Sequence, residues 1–369
     1  MQDKREEKEF YMRKALELAK QGMGYTSPNP MVGCVIVKNG KIVAQGYHEK
    51  CGEYHAERNA LLKCKEDVTG AEAYVTLEPC CHHGKTPPCT DIIIERGIKK
   101  VYVGSMDSNP LVGGKGVKLL EEAGIEVECG VLKEECDKLN EVFFHYIEKK
   151  TPFVIMKYAM TLDGKIAAST GDSKWVTGET ARKHVQFLRK KYSGILVGIG
   201  TVLEDNPMLN CRIEEGVDPV RIICDSKLSI AEHMECNILK TAKKIKTIVA
   251  YAQAEEAKKK MLEDAGVVLL QAGNKDKIDL KRLLKKLGEM EIDSILVEGG
   301  GKIHGSFLEE GLVNKVYAYI APKLVGGDSA KTPVGGRGFE KMAEAKMLTG
   351  LQIKQLGEDI LITGYLNHN

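Results

Sequence analysis

Hydrophobic positions in the first 150 residues change period several times, from helical to alternating and back. Phe10, Ala15, Leu18 and Ala19 recur at helical spacing and predict a helix from Glu6 to Gln21. The run GCVIVKNGKIVAQGYH holds two β-branched stretches joined at Asn39-Gly40, a pair suited to a type I′ turn, and predicts a hairpin. A helix is expected from about Ala56 to Lys65, a strand over AYVTLEPC, and a helix over TDIIIERG with Gly97 as its stop. KKVYVGSM predicts a strand, KGVKLLEEAG a helix, IEVECG a short strand, and Cys136 to Lys149 one amphipathic stretch. Strands and helices in this alternation predict a mostly parallel sheet covered by helices.

Proline disfavours helix in its predecessor, so Thr151-Pro152 ends the last helical pattern and sets an expected boundary between domains 1–150 and 151–369. A second series follows. PFVIMKYAM predicts a strand, Glu179 to Lys191 a helix, GILVGIG a strand running into a glycine loop, and PVRIICD, KTIVAYA and VVLLQ further strands. Asp279 to Met290 predicts a helix, and SILVEGG, KVYAYIAP, LQIKQLG and DILITGYL the remaining strands. The chain shows no internal repeat.

Composition narrows the function classes. Lys plus Arg number 54 against 52 Asp plus Glu, a net charge of +2 that excludes a strongly basic nucleic-acid coat. With aromatic residues at 6%, an RNA-editing reading has little to stand on, and no nucleic-acid partner is expected. No apolar run reaches the ~18 residues of a membrane span, so no membrane partner is expected either. Eleven cysteines, an odd number behind the charged opening MQDKREEKEF, point to a reducing cytoplasm rather than a complete disulfide framework.

Some of those cysteines carry candidate chemistry. His55-Ala56-Glu57 stands where a loop enters a helix; Cys80 follows a strand, and Cys89 opens another helix. One imidazole and two thiolates make a three-ligand zinc set with an open fourth position. Glu57, two residues past the histidine, is spaced to serve that position as an acid/base without being a ligand. This is the pattern of zinc deaminases, in which the metal lowers the pKa of water and a glutamate moves the proton to the leaving ammonia. Two alternatives stay open: a closed structural site with Cys81 or His82 as fourth ligand, or buried thiols without metal. The second half offers two glycine-rich strand ends, at Gly198, Gly200 and Thr201 and again at VEGGGKIHGSFL, which suggest a nucleotide held by its phosphates. The GxGxxG pattern with its distant acid is absent, so a dinucleotide fold other than Rossmann is expected.

The motifs TSPNPMVGCVIV, HAE, EPCCHHGKTPPC and the DSNP-to-GKG stretch resemble the deaminase half of the RibD/RibG family of bifunctional riboflavin-biosynthesis deaminase/reductases. KYAMTLDGKIA, SKWVTG, LVGIGTVLEDNP, VEGGG and APKLVGG resemble its reductase half. The resemblance implies an α/β protein of two three-layer αβα domains, cytidine-deaminase-like over 1–150 and dihydrofolate-reductase-like over 151–369. It implies zinc at His55, Cys80 and Cys89, catalysis by Glu57, and deaminase substrate contacts at Asn29, His82, Lys85, Asp107 and Asn109. For the reductase it implies NADPH contacts at Ala159, Trp175, Thr201, Asp205 and Ser226, and along Gly300, Gly301, Lys302, Ile303, His304, Gly305 and Ser306. Reductase substrate contacts are implied at Ser173, Arg189, Leu209, Arg212 and Glu298, with Lys157 also expected to line the site. The expected partner is a small phosphorylated pyrimidine, and a homo-oligomer is expected of such α/β domains. Ser193 stands where the family often carries aspartate.

Overall fold

The computed structural model describes residues 2–84, 86–109 and 112–366, so the expectation for Lys85 lies outside the described residues. It divides into two compact units, Met1–Lys150 and Thr151–Asn369.

The first unit runs α1 (Gln2–Ala19), β1 (Gly33–Lys38), β2 (Lys41–Tyr47), α2 (Ala56–Lys63), β3 (Glu72–Leu77), α3 (Cys89–Glu95), β4 (Lys100–Ser105), α4 (Lys115–Glu122), β5 (Glu126–Cys129), α5 (Lys133–Leu139) and α6 (Glu141–Lys149). The sheet order is β2-β1-β3-β4-β5, with β1 antiparallel to both neighbours and β3, β4 and β5 parallel. Asn39 and Gly40 both take positive φ, 53° and 71°, as the hairpin turn requires. Strand β1 is an almost unbroken buried run because both faces are covered. Tyr11, Met12, Ala15 and Leu16 of α1 pack on Val35 and Val37, while Ala56, Ala60 and Leu61 of α2 pack on Cys34 and Ile36. Ala15 and Ala19 are buried as expected, but Tyr11, Met12 and Leu16 complete the buried face, Leu18 is half-buried and Phe10 is 52% exposed.

Parallel pairing of β3 and β4 brings the segments that follow them, towards α3 and α4, to one edge of the sheet. Ligand sites collect at such strand ends. One expectation is corrected here: the stretch 136–149 is two helices, broken at Asn140. The Asn140 amide accepts from the Met31 N–H at 2.9 Å and donates to the Met31 carbonyl at 3.0 Å. Held by that distant strand-like pairing, residue 140 leaves helical geometry (φ −107°, ψ 22°).

The second unit runs β6 (Phe153–Thr161), α7 (Glu179–Lys191), β7 (Gly194–Gly198), α8 (Ile199–Asp205), β8 (Val220–Cys224), α9 (Asn237–Lys240), β9 (Thr247–Tyr251), α10 (Glu256–Asp264), β10 (Val268–Gln271), β11 (Gly273–Asn274), β12 (Lys277–Ile278), α11 (Leu280–Glu289), β13 (Ser294–Gly299), α12 (Gly301–Glu309), β14 (Lys315–Ala321), β15 (Leu348–Leu356) and β16 (Asp359–Leu366). Nine strands form one sheet in the order β10-β9-β8-β7-β13-β6-β14-β16-β15, every pair parallel except the two that β16 makes with β14 and β15. Two apolar clusters fill its two faces, giving a three-layer unit.

Three helices depart from the sequence reading. The glycine loop expected after β7 is the start of α8, and neither α9 nor α10 is among the expected elements. Helix α10 carries the run Lys258 to Lys260 and buries only Leu262, so its apolar stripe is too thin to show as a period. Ser193 donates to the Asp293 carboxylate at 2.6 Å, so an acid from a neighbouring strand entry stands beside the position where the family often has its own. Among the described residues no helix is long and apolar enough to cross a membrane.

Candidate functional site

His55 is the N-cap of α2, with extended backbone (φ −73°, ψ 168°) ahead of the first turn that carries Glu57. Cys80 lies just past β3, and Cys89 is the first residue of α3, preset by Pro88 at φ −55°. The Cys89 N–H reaches back to the Cys80 carbonyl at 3.0 Å and to its sulfur at 3.4 Å, closing the intervening loop at its base. His55 Nδ1 is then 3.4 Å from the Cys80 sulfur and 3.5 Å from the Cys89 sulfur. The three donor atoms all lie within 4.8 Å of one another.

These residues fit zinc. Bonds of ~2.1 Å to nitrogen and ~2.3 Å to sulfur place tetrahedral ligands about 3.6 Å apart, close to the separations seen. Cys89 holds the Cys80 thiol down at about 4 by hydrogen bonding, the ionised form that a metal binds. Among the described residues the cluster stops at three, and neither Cys81 nor His82 joins it. Glu57 is 3% exposed, and its Oε2 has no hydrogen-bond partner. Burial pushes that carboxyl up to about 7, with the Cys80 charge adding to the rise. A buried, unpartnered carboxylate oxygen next to an N,S,S donor set is what a fourth, exchangeable position requires.

A cavity of about 300 Å³ opens from the cluster. Asn29, His82, Asp107 and Asn109 line it, as do three features that sequence reasoning missed: His48, Glu78, and the α6 residues Phe143, Tyr146 and Ile147. His48 Nδ1 faces the Tyr54 carbonyl at 3.1 Å, and Nε2 sits 3.3 Å from the Asn29 amide, orienting it. The Asp107 carboxylate accepts the Asn109 N–H at 2.8 Å, and burial raises its pKa to about 6.

In the second unit, Val297 pairs with Met156, so Glu298 and Lys157 come side by side one residue further on. Tyr317 pairs with Lys157 on the other side. Helix α7 covers this polar row. Arg189 donates bidentately to Glu298, at 2.8 Å from both Nε and Nη2, and from Nη1 to the Asn210 carbonyl at 3.0 Å. His184 and Tyr192 meet the hydroxyls of Tyr319 and Tyr317 at 2.6 and 3.3 Å, contacts with no signal in the sequence. Burial opposes ionisation of Glu298, but Arg189 and then Lys157 overcome it and hold the carboxyl down at about 2. Desolvation lowers the Lys157 ammonium despite the pull of Glu298.

Strands β7 and β13 are parallel neighbours, so the two glycine-rich ends lie together. A Cβ at Gly299 would come within 2.9 Å of the Thr201 hydroxyl. Ala159 is half-buried on β6; Ser173 and Trp175 lie between β6 and α7, Asp205 is the last residue of α8, and Ser226 lies just past β8. Trp175 is 65% exposed, with the Arg182 guanidinium 4.6 Å from its ring centre, so it is no part of the core. His304 faces the Pro333 and Val297 carbonyls, at 2.8 and 3.1 Å, which leaves its ring no free nitrogen for a ligand. Leu209 is buried in the core, while Arg212 is exposed.

Residues 152–362 match the family model of the RibD C-terminal domain, and residues 5–105 that of the cytidine and deoxycytidylate deaminase zinc-binding region. The chain is 58% identical over 353 residues to the riboflavin biosynthesis protein RibD of Actinobacillus pleuropneumoniae, covering 95% of this chain and 93% of that one. It belongs to the RibD family. The RibD of Escherichia coli K12 is 38% identical, with 96% and 98% of the two chains covered. A Thermotoga maritima diaminohydroxyphosphoribosylaminopyrimidine deaminase/5-amino-6-(5-phosphoribosylamino)uracil reductase superposes with a TM-score of 0.88 at 40% identity, covering 98% and 99%. Acinetobacter baumannii RibD gives 0.88 at 37% identity, covering 99% and 100%. Zinc and NADPH are the cofactors of the two RibD halves. The zinc-binding match ends at residue 105, so Asp107, Asn109 and α6 form a wall of the RibD pocket beyond that shared region.

Proposed function

We propose that this chain performs two successive reactions of riboflavin biosynthesis. Residues 1–150 hydrolytically deaminate 2,5-diamino-6-ribosylamino-4(3H)-pyrimidinone 5′-phosphate. Residues 151–369 then reduce the ribosyl group, giving 5-amino-6-ribitylamino-uracil 5′-phosphate. The observation that carries the reading is the convergence of His55, Cys80 and Cys89 beside the unpartnered Oε2 of Glu57.

When bound, zinc supplies Lewis-acid activation of water and NADPH supplies the hydride. Glu57 accepts the water proton at Oε2 and returns it to the departing ammonia. Asn29, its amide set by His48, hydrogen-bonds the ring edge, with His82, Asp107 and Asn109 around it and Lys85 neutralising the phosphate. In the reductase, Ala159, Trp175, Thr201, Asp205, Ser226 and the Gly300–Ser306 segment hold the cofactor. Ser173, Leu209, Arg212 and the Arg189–Glu298 pair hold the sugar phosphate. Lys157, whose ammonium is desolvated, releases a proton more readily than a free lysine and supplies the one that accompanies hydride arrival at C1′.

The test combines zinc analysis, ammonia release and NADPH oxidation on the purified chain. Glu57→Gln is expected to keep its zinc and its reductase rate while deamination falls by about 10²–10⁴. An unchanged ammonia rate would remove Glu57 from the mechanism.

We also propose that the chain self-associates. Edge strand β15 and its approach expose Met342, Met347, Leu351 and Ile353 at 89%, 80%, 58% and 73%, and an exposed apolar edge invites a second copy. Light scattering is expected to return a multiple of 40.7 kDa; the single-chain mass would overturn this. Placement in the cytoplasm is supported by the eleven unpaired cysteines, which a reducing compartment preserves.

A further inference from the structure

Glu78 follows the last residue of β3 and stands immediately before Pro79 and the Cys80 ligand, and it is 3% exposed. Unlike Glu57, its carboxylate is fully engaged. Oε1 accepts the N–H groups of Gly116 and Val117 at 3.0 and 3.2 Å, and Oε2 those of Gly114 and Asp107 at 3.0 and 3.3 Å. Its own N–H donates to the Ser105 carbonyl at 2.9 Å. Four donors on two oxygens leave little capacity for a metal or a substrate. Helix α4 has no side-chain cap of its own at Gly114, and its first N–H groups are satisfied by an acid from the segment that follows β3.

We propose that Glu78 is a positioning residue of the deaminase. Its carboxylate fixes the wall that carries Asp107 and Asn109 at a set distance from the Cys80 ligand. The connection is continuous: Glu78 holds the Asp107 N–H, and the Asp107 carboxylate holds the Asn109 N–H. A second contact sets the same distance from the other side. A Cβ on Gly116 would lie 2.0 Å from the Pro79 carbonyl oxygen, so the first turn of α4 rests directly on the residue between Glu78 and Cys80. Glu78 therefore acts on substrate through Asp107 and Asn109, and the metal set does not depend on it. The inference rests on the deaminase reading of residues 1–150.

The test uses the full chain and two variants. Glu78→Gln turns an amide N–H₂ towards two of the four backbone donors and leaves them without an acceptor. Gly116→Ala displaces the same turn and keeps the carboxylate. Both variants are expected to raise the deaminase KM about tenfold or more with kcat within about threefold. Zinc content and NADPH oxidation should match the parent chain, and amide hydrogen exchange over 112–117 should speed up at least about tenfold. A deaminase KM within twofold of the parent in either variant overturns the inference, as does loss of zinc from Glu78→Gln. Absence of ammonia release from the parent chain itself would instead bring down the deaminase reading.

Discussion

His55→Ala is expected to yield a chain without zinc and without detectable deamination that still oxidises NADPH on deaminated substrate at the parent rate. His55 supplies the only nitrogen donor of the cluster, at 3.4 and 3.5 Å from the two sulfurs. Its removal leaves two thiolates, one ligand short of a catalytic zinc set. Loss of an outer-shell partner alone costs ~10–100-fold in metal affinity, and loss of a ligand costs more. The backbone role of residue 55 survives the change, because the Asn59 N–H bonds its carbonyl at 2.9 Å and not its ring. Helix α2 should therefore remain in place, and the defect should be confined to the metal. Metal analysis by mass spectrometry, with ammonia and NADPH assays on the same sample, checks this. Retained stoichiometric zinc would remove His55 from the ligand set.

Arg189→Met is expected to abolish reduction, destabilise the second unit by about 3–5 kcal/mol, and spare deamination. The guanidinium and the Glu298 carboxylate are 12% and 7% exposed and bond at two points. Deleting one partner of such a pair leaves a buried charge uncompensated, which is where most of the cost arises. The same change frees the Asn210 carbonyl, and with it the segment that carries Leu209 and Arg212. Hydrogen exchange of the slowest amides in β7 and β13 measures the loss. Arg189→Met with Glu298→Leu should recover most of the stability and none of the activity, separating the energetic role from the chemical one. The pH dependence follows from Glu298, whose folded-state carboxyl sits at about 2 against 4.5 for a free one. Stabilisation by the pair is complete above pH 4.5 and is lost as the pH falls through about 2. In the variant Glu298 keeps its burial and loses the guanidinium that held its carboxyl down, so the stability gap between parent and variant should be widest at neutral pH and narrow as the pH falls towards about 2. A gap that widened on acidification would contradict this.

The alternation of strand and helix was readable because apolar period is a local property, carried by each segment in its own residues. It failed where a distant contact overrode the segment. The stretch 136–149 has one amphipathic pattern, yet Met31 pulls Asn140 out of it. Phe10 has helical spacing, yet the strand beneath α1 receives Tyr11 and Met12 instead. The metal candidates were visible because each stands at an element boundary that the sequence marks: a loop before a helix, a strand end, and a proline before a helix. Trp175 carried no such marker; only its exposure separates it from the core.

The sequence alone determined which groups have the chemistry for each reaction, namely one imidazole, two thiols, a nearby acid, glycine-rich strand ends and arginines. Tertiary structure alone decided what holds them. Glu78 finds its donors 29 to 39 residues away, His48 orients Asn29 across 19, and Arg189 meets Glu298 across 109. Such partners come together only when sheet order and register bring separate elements to one edge. A carboxylate in the sequence looks the same whether its oxygens are later saturated by backbone N–H groups, paired with a guanidinium or left free to carry a proton.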